Sequence, residues 1–203
     1  MAMKEIEISL ENLLTFILIA FLFIVFILNF QVVLSTRINF GDEGYHSRLA
    51  QYFAETLDFP IYIPFGRTPL IATSNSKPMF WNWLEASFLF LTFNSELVLK
   101  FLTPFVALLV GIVTYLLGKR VFSKEIAFLT SVLIVTSPSF VIYSVTLYTD
   151  AFFTLCMSVF FFSFLVGVKE NNKKFLYLSM VFGAFAFLTK VPGVSCFVFF
   201  FLF

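Results

Sequence analysis

From Leu13 to Leu34 the chain carries no charged side chain. The run is about 22 residues, or about 33 Å as a helix, enough to cross the hydrocarbon core of a bilayer. Further apolar runs occupy 97–117, 126–143, 151–168 and 175–188. A last one, 194–203, supplies about half of the roughly 20 residues a span requires. The expected fold is therefore all-α: a polytopic membrane protein with about five full transmembrane helices and a truncated sixth. Ending inside that run, the sequence reads as the amino-terminal part of a longer protein or as a split-gene product. On that reading a second polypeptide supplies the missing spans.

Composition supports the membrane class. Sixty per cent of the 203 residues are hydrophobic, 33 of them Phe, and 12% are charged. Soluble domains carry about 25% charged residues. A net charge of +1 gives no electrostatic attraction to nucleic acid. No Gly-rich phosphate loop, zinc-type Cys/His spacing or G-x-S-x-G elbow is present. Cys156 and Cys196 sit inside apolar runs, as small buried hydrophobes rather than a disulfide framework. The leading flank MAMKEIEISLEN is acidic and no small-residue cleavage site follows the first run, so that run is a retained anchor.

Charge in the connections sets sidedness. Lys119, Arg120 and Lys124 cluster in one loop and Lys169, Lys173 and Lys174 in another, while SVTLYTD between them has no basic residue. The positive-inside rule makes both basic loops cytoplasmic, and with them the amino terminus and Lys4. Segment 35–96, the turn at Asp150 and the turn at Lys190 then face the outer compartment. Asp42, Glu43, Lys77, Asp150 and Lys190 thus converge on one side from distant parts of the chain.

The outer segment 35–96 divides into three. From Asp42 to about Asp58, Tyr45, Leu49, Phe53 and Leu57 recur every four positions, predicting an amphipathic juxtamembrane helix lying in the interface. DFPIYIPFGRTPLIATSNSKP predicts an irregular connection. WNWLEASFLFLTF predicts a second juxtamembrane helix, with Pro78 in its first turn. Trp81 and Trp83 suit the interfacial aromatic belt.

Each polar candidate has two readings. Asp42 can N-cap the first juxtamembrane helix and Glu43 can complement its dipole. His46, one turn from Asp42, can share an ion with it or be an ordinary interfacial residue. Thr149 and Asp150 can cap the fourth span. Lys77 and Lys190 can snorkel to headgroups. Against these stands the cost of ionisable groups near a membrane segment, about 2.5–3.5 kcal/mol at mid-bilayer. Lys190 interrupts an apolar stretch as FLTKVPG. Gathered on one face, such carboxylates and lysines can hold an anion beside a base.

Five pieces in order, over about residues 37–203, carry a family likeness: GDEGYHSRLAQYFAETLDF, SKPMFWNWLEASFLF, YLLGKRVFSKEIAFLTSVLIVTSPSFVIYS, YTDAFFTLCMSVFFFSFLV and FGAFAFLTKVPG. Together they resemble the GT-C superfamily of polyprenyl-phosphate-dependent glycosyltransferases. The likeness is greatest to the branch with lipid A aminoarabinose transferases and protein O-mannosyltransferases. It implies inverting sugar transfer at the outer face, from a polyprenyl-phosphate-linked donor to a lipid, glycan or protein acceptor, in a protein embedded among membrane lipids. By the same likeness Asp42 is the catalytic base, with Glu43 beside it, and Lys77 binds donor phosphate. The family's K-P-P motif reads SKPM here, with Ser76 and Met79 as departures. Thr149–Asp150 and Thr189–Gly193 match the T-D and T-K-x-P-G motifs. Lys190 then assists at the phosphate, and Asp150, with His46, supports the site or holds a metal. A divalent metal is the one cofactor left open. An inactive fragment of such an enzyme is the first alternative. A transporter, suited by Lys190 beside Pro192–Gly193, is the second.

Overall fold

The structure is a computed structural model that describes residues 2–36, 42–57, 63–65, 68–70, 80–93 and 95–202, with backbone alone for 2–11, 42, the two strands, 201 and 202. Its helices are α1 (Ala2–Ser35), α2 (Asp42–Thr56), α3 (Phe80–Leu91), α4 (Glu96–Val121), α5 (Lys124–Thr136), α6 (Pro138–Ser144), α7 (Asp150–Lys169), α8 (Lys173–Thr189) and α9 (Val194–Leu202). A 3-10 turn, Val191–Gly193, joins α8 to α9. Among the described residues the all-α expectation holds apart from an antiparallel ribbon of β1 (Ile63–Phe65) and β2 (Thr68–Leu70), with Pro64 opposite Pro69.

Among the described residues three helices are long and apolar enough to span: α1 from Asn12, α4 and α7. A fourth span is possible from α5 and α6 together, but it is broken by a 63° bend. The expected run 126–143 is built from these two helices. The cause of the bend is local: Pro138 disfavours helical backbone at the residue before it, and Ser137 is extended (φ −62°, ψ 134°). At 17 residues α8 sits at the lower edge of spanning length. Five full spans are therefore more than the helix lengths establish.

Helix α4 is central, packing against α1, α5 and α7, and α8 packs along α7. Only 17% of the most apolar stretch of α1 is buried, against 61% for α7. Outward faces stay apolar, with Phe16, Ile19, Leu129 and Leu133 all exposed. Such a surface needs lipid rather than water around it.

The two ends of the bundle differ. At one, the Lys169 ammonium donates to the carbonyls of Arg120 and Val121 (2.8 and 2.9 Å), and Arg120 pairs with Glu170 at 3.6 Å. This brings the two basic loops together. Ser123 and Asn172 cap α5 and α8 there through their side-chain oxygens. At the other end Lys100 donates to the Thr36 carbonyl (3.2 Å), and Asn29 of α1 donates to Ser144 of α6 (3.0 Å).

Within segment 35–96, α2 and α3 pack against each other, and α3 also reaches α4 and α8. The stripe expected on α2 is displaced. Leu49, Ala50, Phe53 and Ala54 are buried, but so are Glu43, His46 and Ser47. Leu57 ends the helix with φ 56° and is 80% exposed. Trp81 corrects likewise: it is fully buried, while Trp83 is exposed against Phe53. Pro78 lies outside the described residues.

The turn after α8 depends on Gly193. A Cβ there would lie 2.4 Å from backbone atoms of Ala186 and Phe187, which cannot rotate away. Gly193→Ala is expected to cost about 1–3 kcal/mol by overpacking. Thermal unfolding in detergent reads that loss; an unchanged midpoint would contradict the close approach.

Candidate functional site

Two polar contacts fix the starts of α2 and α7. The Glu43 carboxylate accepts from the backbone N–H of Leu147 at 3.0 Å, in the connection between α6 and α7. Glu43 is buried, and a charge-assisted bond to a main-chain donor holds the first turn of α2 against that connection. Three residues on, Asp150 opens α7 and receives the Lys190 ammonium at 2.6 Å. The two side chains are 28% and 34% exposed, so solvent screens the pair and its net worth is about 1 kcal/mol or less.

These contacts replace two of the simpler readings. Thr149 makes no capping hydrogen bond from its side chain, and Asp150 is engaged by Lys190. Lys190 does not merely snorkel; it has a carboxylate partner, with its backbone held by Lys190 N–H to Ala186 carbonyl and Gly193 N–H to Lys190 carbonyl, both 2.9 Å. Aromatic contacts seat the start of α3 beside the pair. Phe80 stacks on Phe185 at 4.7 Å and Trp81 on Phe152 at 4.9 Å. Phe152 and Phe185 lie close in sequence to Asp150 and Lys190.

A third polar cluster joins α2 to α3. His46 is buried, and its Nδ1 faces the Asn82 amide, 2.9 Å from Nδ2 and 3.2 Å from Oδ1. The same Nδ2 lies 3.3 Å from the His46 carbonyl and 3.1 Å from Glu85 Oε2. Glu85 is fully buried and its Oε1 has no hydrogen-bond partner. Burial pushes its carboxyl up to about 8; the Asn82 amide and the nearby Trp81 indole oppose this more weakly. The indole N–H favours the charged form from nearby without a hydrogen bond of ordinary geometry.

Sequence reasoning passed over Asn82 and Glu85. The signal was a lone amide and a lone acid three residues apart in WNWLEASFLF, which places them on one helical face. Leu147 could not be found, since its contribution is a main-chain N–H. Of the sequence-predicted residues, Glu43, Asp150 and Lys190 gather at the starts of α2 and α7 and the end of α8. His46 turns to α3. Asp42 is the first residue of α2, but its side chain and the whole of Lys77 lie outside the described residues. Among the described residues no three His, Cys, Asp or Glu side chains converge as a metal set, and His46 Nδ1 is taken by Asn82.

Residues 76–203 match the sequence profile of the dolichyl-phosphate-mannose-protein mannosyltransferase family. The chain belongs to this family. Membership places it among GT-C-type membrane glycosyltransferases. Lys77, Asp150 and Lys190 fall within the matched residues; α2, with Asp42, Glu43 and His46, precedes them. Searches of curated proteins and of solved structures returned no significant match.

Glu85 makes the site sensitive to pH. Its carboxyl ionises near 8 in the fold and near its ordinary value of 4.5 when unfolded. The folded chain therefore binds its proton more tightly: this contribution to stability is full below pH 4.5 and is lost as pH rises toward 8. With Trp83→Phe, Trp81 is the sole indole, and its emission is expected to titrate with a midpoint near 8. Glu85→Gln should abolish that titration. A flat emission profile with Glu85 present would contradict the assignment.

Proposed function

We propose that this chain serves an enzyme transferring a sugar from a polyprenyl-phosphate-linked donor to an acceptor hydroxyl, with inversion. The donor class and a glycan or protein acceptor follow from the family; a lipid acceptor fits the same chemistry. The observation that carries the reading is the gathering of Glu43, Asp150 and Lys190 at one end of the bundle, opposite the two basic loops. By the positive-inside rule that end faces outward and the amino terminus is cytoplasmic.

In the reaction Asp42 accepts the proton of the acceptor hydroxyl as its oxygen attacks the anomeric carbon. The bond from that carbon to the phosphate oxygen breaks, and polyprenyl phosphate leaves. Lys77 meets the phosphate, whose negative charge grows as the bond lengthens. Phe80 is seated on Phe185, near the Lys190 turn. Lys190 already has Asp150 as partner and serves as a second, positioned cation. Asp150 keeps it in place, and Glu43 holds the helix that begins with Asp42.

The test is sugar transfer in membranes carrying the full-length protein. Asp42→Asn should lower turnover about 10²- to 10⁴-fold, the usual contribution of a positioned general base. Lys77→Met should raise the KM for the donor. Near wild-type turnover with Asp42→Asn would overturn Asp42 as the base.

A further inference from the structure

The contacts of Asn82 bear on the helix that begins with Asp42. Its amide reaches the His46 ring and the His46 carbonyl on α2, and it is braced from behind by Glu85, one turn along α3. His46 is one turn from Asp42. The first turn of α2 is thus held twice: by Glu43 to the connection before α7, and by His46 to α3. We propose that Asn82 and Glu85 are positioning residues for the transfer reaction, fixing the first turn of α2, and Asp42 with it, by clasping His46. This rests on the reading of Asp42 as base.

The geometry of the clasp has a specific consequence. Asn82 offers both a donor and an acceptor to His46 Nδ1. When Nδ1 lacks a proton it accepts from Nδ2, and when it carries one it donates to Oδ1. The contact therefore survives either proton state of the ring. Glu85 has no such latitude. As a neutral acid it can sit in its apolar surroundings with Oε2 accepting from Asn82 and Oε1 unpaired. As a carboxylate it carries a buried charge, and among the described residues no Lys or Arg pairs with it. Arg48 on α2 turns to Gln51, Lys100 on α4 to Glu96, and Lys190, at the end of α8, to Asp150. Among the described residues the polar groups that meet Glu85 are the Asn82 amide and the Trp81 indole. Ionisation pulls on the Asn82 amide and strains its grip on α2.

A Glu at this position that merely filled space would be replaceable by a neutral side chain with no change in pH behaviour. A positioning Glu would not. In membranes carrying the full-length protein, activity is expected to fall above about pH 8, and Glu85→Gln, which keeps shape and hydrogen-bonding capacity, should remove that alkaline loss with turnover at pH 7 within about twofold. Asn82→Leu should lower kcat at least tenfold and leave the donor KM unchanged, because neither Asn82 nor Glu85 is assigned to the donor phosphate. Superimposable pH profiles for the wild type and Glu85→Gln would overturn the proposal, as would an Asn82→Leu defect confined to KM.

A second measurement does not need activity. Hydrogen exchange over residues 42–49 in lipid nanodiscs should accelerate about tenfold with Asn82→Leu and stay unchanged with Glu85→Gln. Unchanged exchange with Asn82→Leu would overturn the clasp even if transfer is observed. Accelerated exchange beside a fully active Asp42→Asn would keep the clasp and remove the assigned base. The two failures are therefore separable.

Discussion

Inside hydrocarbon every backbone N–H and C=O must find a partner within the protein, and that requirement organises this chain. It explains why apolar runs become continuous helices and why irregular backbone collects at their ends. Some polar side chains buried between helices find partners in the same way. Asn29 donates to Ser144, and Ser131 to the Gly111 carbonyl at 2.8 Å. The two breaks in the helical ladders lie toward the same end as the polar contacts. One is the Pro138 bend, which leads into the connection bearing Leu147; the other is the Lys190–Gly193 turn. A chain of uninterrupted spans would have offered neither the free N–H for Glu43 nor the fixed Lys190 for Asp150.

The least economical feature is Glu85. An apolar residue of similar size would avoid burying an ionisable group with an unpaired oxygen, and such replacements are often neutral or stabilising. Glu85 also lies against two groups whose placement depends on direction, the Asn82 amide and the Trp81 indole. Apolar packing between α2 and α3, through Leu49, Phe53, Ala86 and Leu89, supplies adhesion but tolerates sliding. Hydrogen bonds from one amide to a ring nitrogen and a main-chain carbonyl do not. The polar cluster therefore sets the register of two helices that the apolar contacts only hold together.

Much of this was legible in the sequence, and the gaps have identifiable causes. Apolar runs of spanning length located α1, α4 and α7, because hydropathy over 20 residues has few other meanings. Clustered lysines joined the two basic loops, later bridged by Lys169. The helical start at Asp42 was readable from its acidic pair. The buried face of α2 was not, because a four-residue recurrence of apolar side chains drew the stripe through Leu57, while the interior takes Glu43, His46 and Ser47. Polarity was assigned to the surface there, and the partners that make burial tolerable lie 36 to 104 residues away. Trp81 failed similarly: a belt residue and a core residue look alike until the neighbour, Phe152, is known. The short ribbon of β1 and β2 was hidden by Pro64 and Pro69, which discourage strand assignment but are admissible in a two-stranded edge.

The Asp150–Lys190 pair constrains how charge is handled on the proposed reading. A cation already matched by a carboxylate adds little net attraction for an incoming phosphate diester, which favours Lys77 as the group that first meets it. As the sugar–phosphate bond breaks, the phosphate gains negative charge and the competition for Lys190 shifts. An ammonium has three donors, and one is used on Asp150 Oδ1. It can therefore turn a second donor to the departing phosphate without releasing the carboxylate. Stabilisation that grows along the reaction, rather than being complete on binding, lowers the barrier instead of only tightening the ground state. A free lysine would bind the donor more tightly and gain less in the transition state, so partial neutralisation by Asp150 suits a cation whose role comes late in the bond cleavage.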